Sequence, residues 1–306
     1  MISYTIVIVN WNSGEQTRSC LKSICEIDKQ GFTIDKVIVV DNASSDKSQE
    51  IYCNYNYNYE LIQNIENKGF AFACNQGSVG CNSDYILFLN PDTRLFKDTM
   101  VKVTEFLSTK NSEIGIVGIQ LIDENGNISK TCSRFPTKWQ RLCKILGITK
   151  LIPSTSANMQ EWKHDKSRIV DQVMGAFFLV ETQLFKKLNG FDERFFVYYE
   201  EVDFSIRAHD IGFKSYYFAD AQAFHKGGGT SEQVLDKRLF YSLSSFLKYQ
   251  KKHHGIIAMY IAFLLELLEY LSRVILILIK GKKSDYKKLN SAYKMLFRNF
   301  ADIFKD

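Results

Sequence analysis

The stretch DYILFLNPDT, residues 84–93, drives a mostly apolar run straight into Asn90, Pro91 and Asp92. Proline ends a strand's ladder hydrogen bonding and fixes the chain direction, so Asp92 is set just beyond a strand's carboxyl end. Upstream, YTIVIVN (4–10), KVIVVDN (36–42) and YELIQN (59–64) read as further short strands. Between them lie EQTRSCLKSICE, with Cys20, Leu21, Ile24 and Cys25 at helical spacing, and SSDKSQEIY, a helix start capped by Ser44 or Ser45. NKGFAFACNQGSV opens another helix near Asn67 and Gly69. Alternating strands and helices, with strands apolar on both faces, predict an α/β fold whose parallel sheet is covered by helices.

The chain has 306 residues, 45% of them apolar, enough for a sizeable core. Its formal charge of +5 is unevenly spread: residues 1–236 carry 25 Lys+Arg against 29 Asp+Glu (−4), whereas 237–306 carry 14 against 5 (+9). Such a basic tail suits an anionic partner, a nucleic acid or a membrane surface. Seven cysteines without a CxxC pair read as reduced thiols, and MISYTIVIVNWN reads as a first strand rather than a signal peptide, both pointing to the cytoplasm. YCNYNYNY (52–59) reads as a surface loop. Beyond residue 114 the strand signals IGIVGIQLI and GAFFLVE are farther apart, and 137–170, without a clear strand, reads as a mobile segment.

In open parallel sheets ligands sit beyond the carboxyl ends of the strands. Asn10, Asp41 with Asn42, and Asn90 with Asp92 would converge there. Turn formation and helix capping also explain any one of them; three together favour a site. A carboxylate at Asp92 can hold a hard divalent cation that binds a diphosphate.

FLNPDT resembles the metal-binding segment of the family 2 glycosyltransferases, in the rhamnosyltransferase-like branch. VIVVDNASSD (37–46), NKGFAFACNQG (67–77), GAFFLV (175–180), GFDERFFVYYEEVDFSIRAHDIGF (190–213) and HKGGGTS (225–231) follow in that family's order, and the resemblance spans residues 3 to about 250. It implies a GT-A fold, Rossmann-like, with a mostly parallel central sheet and a C-terminal helical extension. Residues 1–236 would form the catalytic domain, with 1–112 binding the nucleotide-sugar and 113–236 the acceptor. By position, Asp41 would hydrogen-bond the base, and Asn10, Asn42, Asn67, Lys68, Gly69, Asn75 and Asn90 would line the nucleotide pocket, with helix N–H groups near Gly69 offered to an anion. Asp92 and His225 would hold Mg²⁺ or Mn²⁺. Glu201 would be the general base, with Glu200 next and Asp203 an orienting group, Arg207 pairing with it four residues on. The family usually carries Glu-Asp where this chain has Glu200 and Glu201.

The 25 apolar-rich residues 255–279 are long enough to span a bilayer, but Glu266, Glu269 and Arg273 fall on one stripe. An amphipathic helix on a membrane surface fits better, with Glu269 pairing Arg273. In 284–306, Tyr286, Leu289, Tyr293, Leu296, Phe297 and Phe300 form an apolar stripe beside Lys287, Lys288, Lys294 and Arg298, a pattern that adheres to anionic lipid. A packing or homodimerising helix pair is the competing reading, and the interleaved apolar residues argue against nucleic acid.

The leading expectation is therefore an inverting glycosyltransferase, peripheral on the inner face of the cell membrane. It would move a sugar from a dTDP- or UDP-sugar, with dTDP-L-rhamnose favoured, to a lipid-linked glycan in cell-surface polysaccharide synthesis. A sugar-1-phosphate nucleotidyltransferase would want a glycine-rich basic loop after the first strand, where NWNSGEQTR has one glycine. A non-catalytic nucleotide-sugar-binding protein would not need the acidic motif.

Overall fold

The computed structural model describes residues 1–46, 48, 58–227, 235–280 and 283–304. In chain order the first half comprises β1 (Ile2–Asn10), α1 (Gly14–Glu26), β2 (Phe32–Asp41), β3 (Tyr59–Gln63), α2 (Phe70–Ser78), β4 (Tyr85–Leu89), β5 (Thr93–Leu95), α3 (Thr99–Thr109) and β6 (Ile114–Ile122). There follow β7 (Cys132–Ser133), α4 (Lys138–Ile145), α5 (Ile148–Leu151), β8 (Arg168–Val170), β9 (Gln172–Val173), β10 (Phe177–Glu181), α6 (Thr182–Lys187), α7 (Glu200–Asp210) and β11 (Lys214–His225). The chain closes with α8 (Leu235–Lys280), α9 (Lys283–Arg298) and α10 (Phe300–Phe304). The helix expected from SSDKSQEIY, most of the YCNYNYNY loop and residues 228–231 of HKGGGTS fall largely outside the described residues.

The main sheet runs β3-β2-β1-β4-β10-β6-β11-β5, with β8 also on β11. It is mixed, not mostly parallel. β3, β2, β1 and β4 are mutually parallel, as are β6 and β11, but β10 lies antiparallel between β4 and β6, and β5 antiparallel to β11. The apolar run of β10 reports burial on both faces and carries no information about direction. Alternate residues of β1 feed opposite cores: Tyr4, Ile6 and Ile8 meet Cys20, Leu21 and Ile24 of α1, while Val7 and Val9 share a core with Ala71, Ala73 and Cys74 of α2. This period-two alternation makes the sheet the middle of three layers.

Residues 137–170, expected to be mobile, are organised. Thr137 and Gln140 form a reciprocal capping box at the start of α4, and Arg141 on that helix reaches across to Glu266 of α8. All six described cysteines are free thiols.

α8 is kinked at Gly255, whose φ of 85° suits glycine alone. Before the kink it packs on the loop leading to α7: Tyr241 stacks on Phe196, Ser245 Oγ donates to the Val197 carbonyl at 2.9 Å, and Lys248 Nζ to that of Arg194 at 3.0 Å. After the kink, the charged stripe turns inward. Glu266 is fully buried and Glu269 nearly so, gathered around Arg141, with Lys144 and Arg273 closing on Glu269. Glu269 and Arg273 pair as expected. The apolar stripe expected to face lipid in 284–306 is partly internal: Leu289, Tyr293 and Leu296 are buried in a core shared with α8, whereas Tyr286 and Phe297 are exposed. No described helix is long and apolar enough to cross a membrane.

Candidate active site

β1, β2, β4, β6 and β11 all end at one edge of the sheet, and the polar residues singled out in the sequence cluster there. Asp41, nearly buried, accepts at Oδ1 from Asn10 Nδ2 (2.7 Å) and from the Ser44 hydroxyl (2.6 Å). Its Oδ2 takes a single long bond, from Ser44 N at 3.2 Å, among the described residues. Asn10 is fully buried and fully used: besides Asp41 it donates to Ser44 Oγ, and its carbonyl oxygen accepts from Ser13 N and Thr17 Oγ1. It therefore orients Asp41 from beneath instead of lining a pocket. Ser44, read only as a helix cap, is the hub of this cluster, since its hydroxyl also accepts from Asn12 N at 2.9 Å. The i,i+3 spacing of Asp41 and Ser44 was the available signal.

Asn42 braces the next loop. Its Nδ2 donates to Asn67 Oδ1 (2.9 Å) and the Gly69 carbonyl (3.1 Å), and its Oδ1 accepts from Asn64 Nδ2 (3.1 Å) and Lys68 N (3.3 Å). The Lys68 ammonium stands 3.7 Å from Glu66 and over the Phe72 ring. The N–H groups expected to greet an anion at the start of α2 are partly spent: Gly69 N donates to Asn67 Oδ1, and Phe70 N to the Phe196 carbonyl at 2.6 Å. That carbonyl would lie 2.4 Å from a Cβ on residue 69, which is why glycine stands there with φ 96°. Asn75, expected in the pocket, points elsewhere. It clamps the Phe191 backbone through both amide atoms (2.8 and 2.9 Å) and donates to Glu193, tying α2 to the loop before α7.

Asn90, Pro91 and Asp92 form a tight turn closed by Thr93 N on the Asn90 carbonyl, 3.1 Å. Because Thr93 pairs with His225 across β5 and β11, Asp92 meets the end of β11: its Oδ1 lies 3.3 Å from His225 Nε2. Both side chains are nearly buried. Among the described residues no third His, Cys, Asp or Glu completes a cluster. A hard carboxylate oxygen and an imidazole nitrogen this close could together hold a divalent cation, which would supply positive charge to a diphosphate.

At the start of α7, Glu200 is buried and Glu201 partly so, and neither Oε2 has a partner among the described residues. Burial, then the neighbouring charge of Glu201, pushes the Glu200 carboxyl well above the usual range; burial raises Glu201 as well. Burial of both carboxyls favours their neutral forms, more so at Glu200, which also feels the charge of Glu201. Tyr198 and Tyr199, just before, hold left-handed φ values of 67° and 73°. Asp203 is different. It is fully buried but engaged by Arg207 Nε (2.8 Å), His253 Nε2 (2.8 Å) and Lys252 Nζ (2.5 Å). Burial alone would raise its carboxyl; the His253 hydrogen bond and the Arg207 and Lys252 charges overcome that and take it down to about 2. Through Lys252 and His253 these contacts join α7 to α8 at Asp203.

Residues 5–179 match the family profile described as glycosyl transferase family 2. The chain belongs to that family. Among curated relatives, this glycosyltransferase is 24% identical to the N-acetylglucosaminyl-diphospho-decaprenol L-rhamnosyltransferase of Mycobacterium tuberculosis, over 82% of this chain and 85% of the relative. It is also 24% identical to rhamnosyltransferase WbbL of Escherichia coli, over 80% and 91%. A mannosyltransferase of Pyrobaculum calidifontis, solved with GDP-mannose and Mn²⁺, shares the fold with a TM-score of 0.57 at 14% identity, over 97% of this chain and 75% of that one. As a family 2 glycosyltransferase the protein moves a sugar from a nucleotide-sugar donor to an acceptor.

Proposed function

We propose that this glycosyltransferase inverts the anomeric centre of a nucleotide-diphosphate sugar, using Glu201 as general base, and acts on a lipid-linked glycan at the inner face of the cell membrane. The observation that carries the reading is the Asp92–His225 pair, 3.3 Å apart at the carboxyl edge of the sheet, because it offers one hard oxygen and one imidazole nitrogen where a diphosphate would lie. A Mg²⁺ or Mn²⁺ ion held by this pair would neutralise charge developing on the leaving diphosphate. Asp41 is poised to accept a base N–H at Oδ2, the oxygen its own neighbours use least. Glu201 would take the proton of the acceptor hydroxyl.

The donor is dTDP-L-rhamnose in this reading, with UDP-sugars the alternative. Support comes from two relatives whose names specify rhamnosyl transfer and which align over most of both chains. The polysaccharide product and the membrane setting rest on the same likeness.

The test is calorimetric titration with dTDP, UDP and GDP, each with and without Mn²⁺, on the native protein, Asp92→Asn and His225→Ala. Binding of dTDP that needs the metal and falls at least about tenfold in both variants is expected. Nucleotide binding indifferent to metal and to both substitutions would overturn the assignment of the pair.

A further inference from the structure

After its kink, α8 is an amphipathic helix worn inside out. Glu266 and Glu269 face the protein, while Ile257, Leu264, Leu268, Leu271, Ile275 and Leu278 are each 51–73% exposed. At 100° per residue the exposed apolar arc runs from Tyr260 to Leu276, roughly 160° wide, and over residues 256–279 it is about 36 Å long. It leaves on the order of 1,000 Å² of apolar surface open, against roughly 300–600 Å² for the largest patch on a typical monomer. The three charged residues between 256 and 279 are Glu266, Glu269 and Arg273, all engaged in the inward cluster.

We propose that this face lies in the apolar boundary of a lipid bilayer with the helix parallel to the surface, held by aliphatic immersion and only assisted by charge. Two features favour lipid over a second copy of the chain. The arc is wider than the narrow seam of a coiled coil, and the charges nearest its edge, Glu269 and Arg273, pair with each other instead of standing ready to set register or partner. At its C-terminal end the sequence turns basic, with Lys280, Lys282 and Lys283 followed by the exposed Lys287 and Lys288 of α9, which suits anionic headgroups beside an immersed helix. The proposal deepens the membrane setting given above and rests on it. Adhesion is thereby assigned to residues 256–279 rather than to the apolar stripe of 284–306, where Leu289, Tyr293 and Leu296 are buried.

Flotation of the native full chain with vesicles of phosphatidylcholine alone, and of phosphatidylcholine mixed with phosphatidylglycerol, at low and high salt, tests this. Binding to the neutral vesicles that persists at high salt, and that weakens at least about tenfold in the double variant Leu264→Glu, Leu271→Glu, is expected. A second double variant, Ile257→Asp with Leu278→Asp at the two ends of the face, guards against a local folding defect, and thermal unfolding checks both. Three results would overturn the proposal: binding unchanged in both variants, binding confined to anionic vesicles and stripped by salt, or no vesicle binding at all. If the last comes with a sedimenting dimer that the same substitutions dissolve, the face belongs to a second copy. Titration with dTDP on the same samples keeps the questions apart, since a protein that binds nucleotide but not vesicles sinks only this proposal.

Discussion

His253 Nε2 lies 2.8 Å from Asp203 Oδ1, so α8 completes a polar cluster on the helix that carries Glu200 and Glu201. Its pH dependence follows from the sign of the shift. The folded Asp203 carboxyl titrates at about 2, below its ordinary value of 3.8, so its stabilising contribution is fully present above pH ~4 and is lost as pH falls toward ~2. The contribution is on the order of 2 kcal/mol. Acid unfolding of Asp203→Asn should lack this component, and at neutral pH the variant should unfold more easily by about 3 kcal/mol, since Arg207 and Lys252 lose their counter-ion. Urea titrations of both proteins across pH 2–7 would show it; parallel curves would refute the cluster's role.

The two glutamates make opposite predictions. Glu201→Gln should lower kcat by about 10²–10⁴ while donor binding survives. Glu200→Gln should cost only a few-fold near neutral pH, because burial and the charge of Glu201 favour the neutral form of the residue it replaces. Burial raises the Glu201 carboxyl, so kcat of the native enzyme should climb with pH through an acid limb displaced above the ordinary carboxylate range. Interchanged effects of the two variants would transfer the base to Glu200.

Gly69→Ala places a Cβ 2.4 Å from the Phe196 carbonyl at a φ only glycine tolerates. A loss of about 2 kcal/mol or more is expected, together with weaker nucleotide binding, because the same contact fixes where α2 begins. Thermal unfolding and dTDP titration read the two effects separately.

Arg141→Met would strand Glu266, which is fully buried and whose carboxyl burial already pushes up against the pull of Arg141. A cost of about 3–5 kcal/mol is expected at neutral pH. It should shrink in acid, where a protonated Glu266 no longer needs its partner. A cost independent of pH between 5 and 8 would count against the account.

Much of this was legible beforehand where a local rule applied. Short β-branched runs gave β1, β2, β3 and β4, and the proline at 91 announced the turn that presents Asp92. What sequence could not supply was partnership at a distance. Asn75 sits on the expected helix, yet helical phase does not say that the loop at 191 lies across from it. Glu266 and Glu269 were visible as a costly stripe, but their partner Arg141 comes from a segment with no strand pattern. The direction of β10 was hidden because an apolar run reads the same either way, whereas the meeting of Asp92 with His225 came from family likeness and not from spacing.

Tyr198 and Tyr199 adopt left-handed backbone in succession, a conformation costing about 1–2 kcal/mol for each such residue. Packing of Tyr199 against Phe246 and Tyr249 of α8 holds that bend cocked. A glycine at 198 would relax it and toughen the protein against heat, yet it would let the first turn of α7 drift. If Glu201 is the base as proposed, durability and catalytic aim pull in opposite directions here, and the native chain has kept its aim.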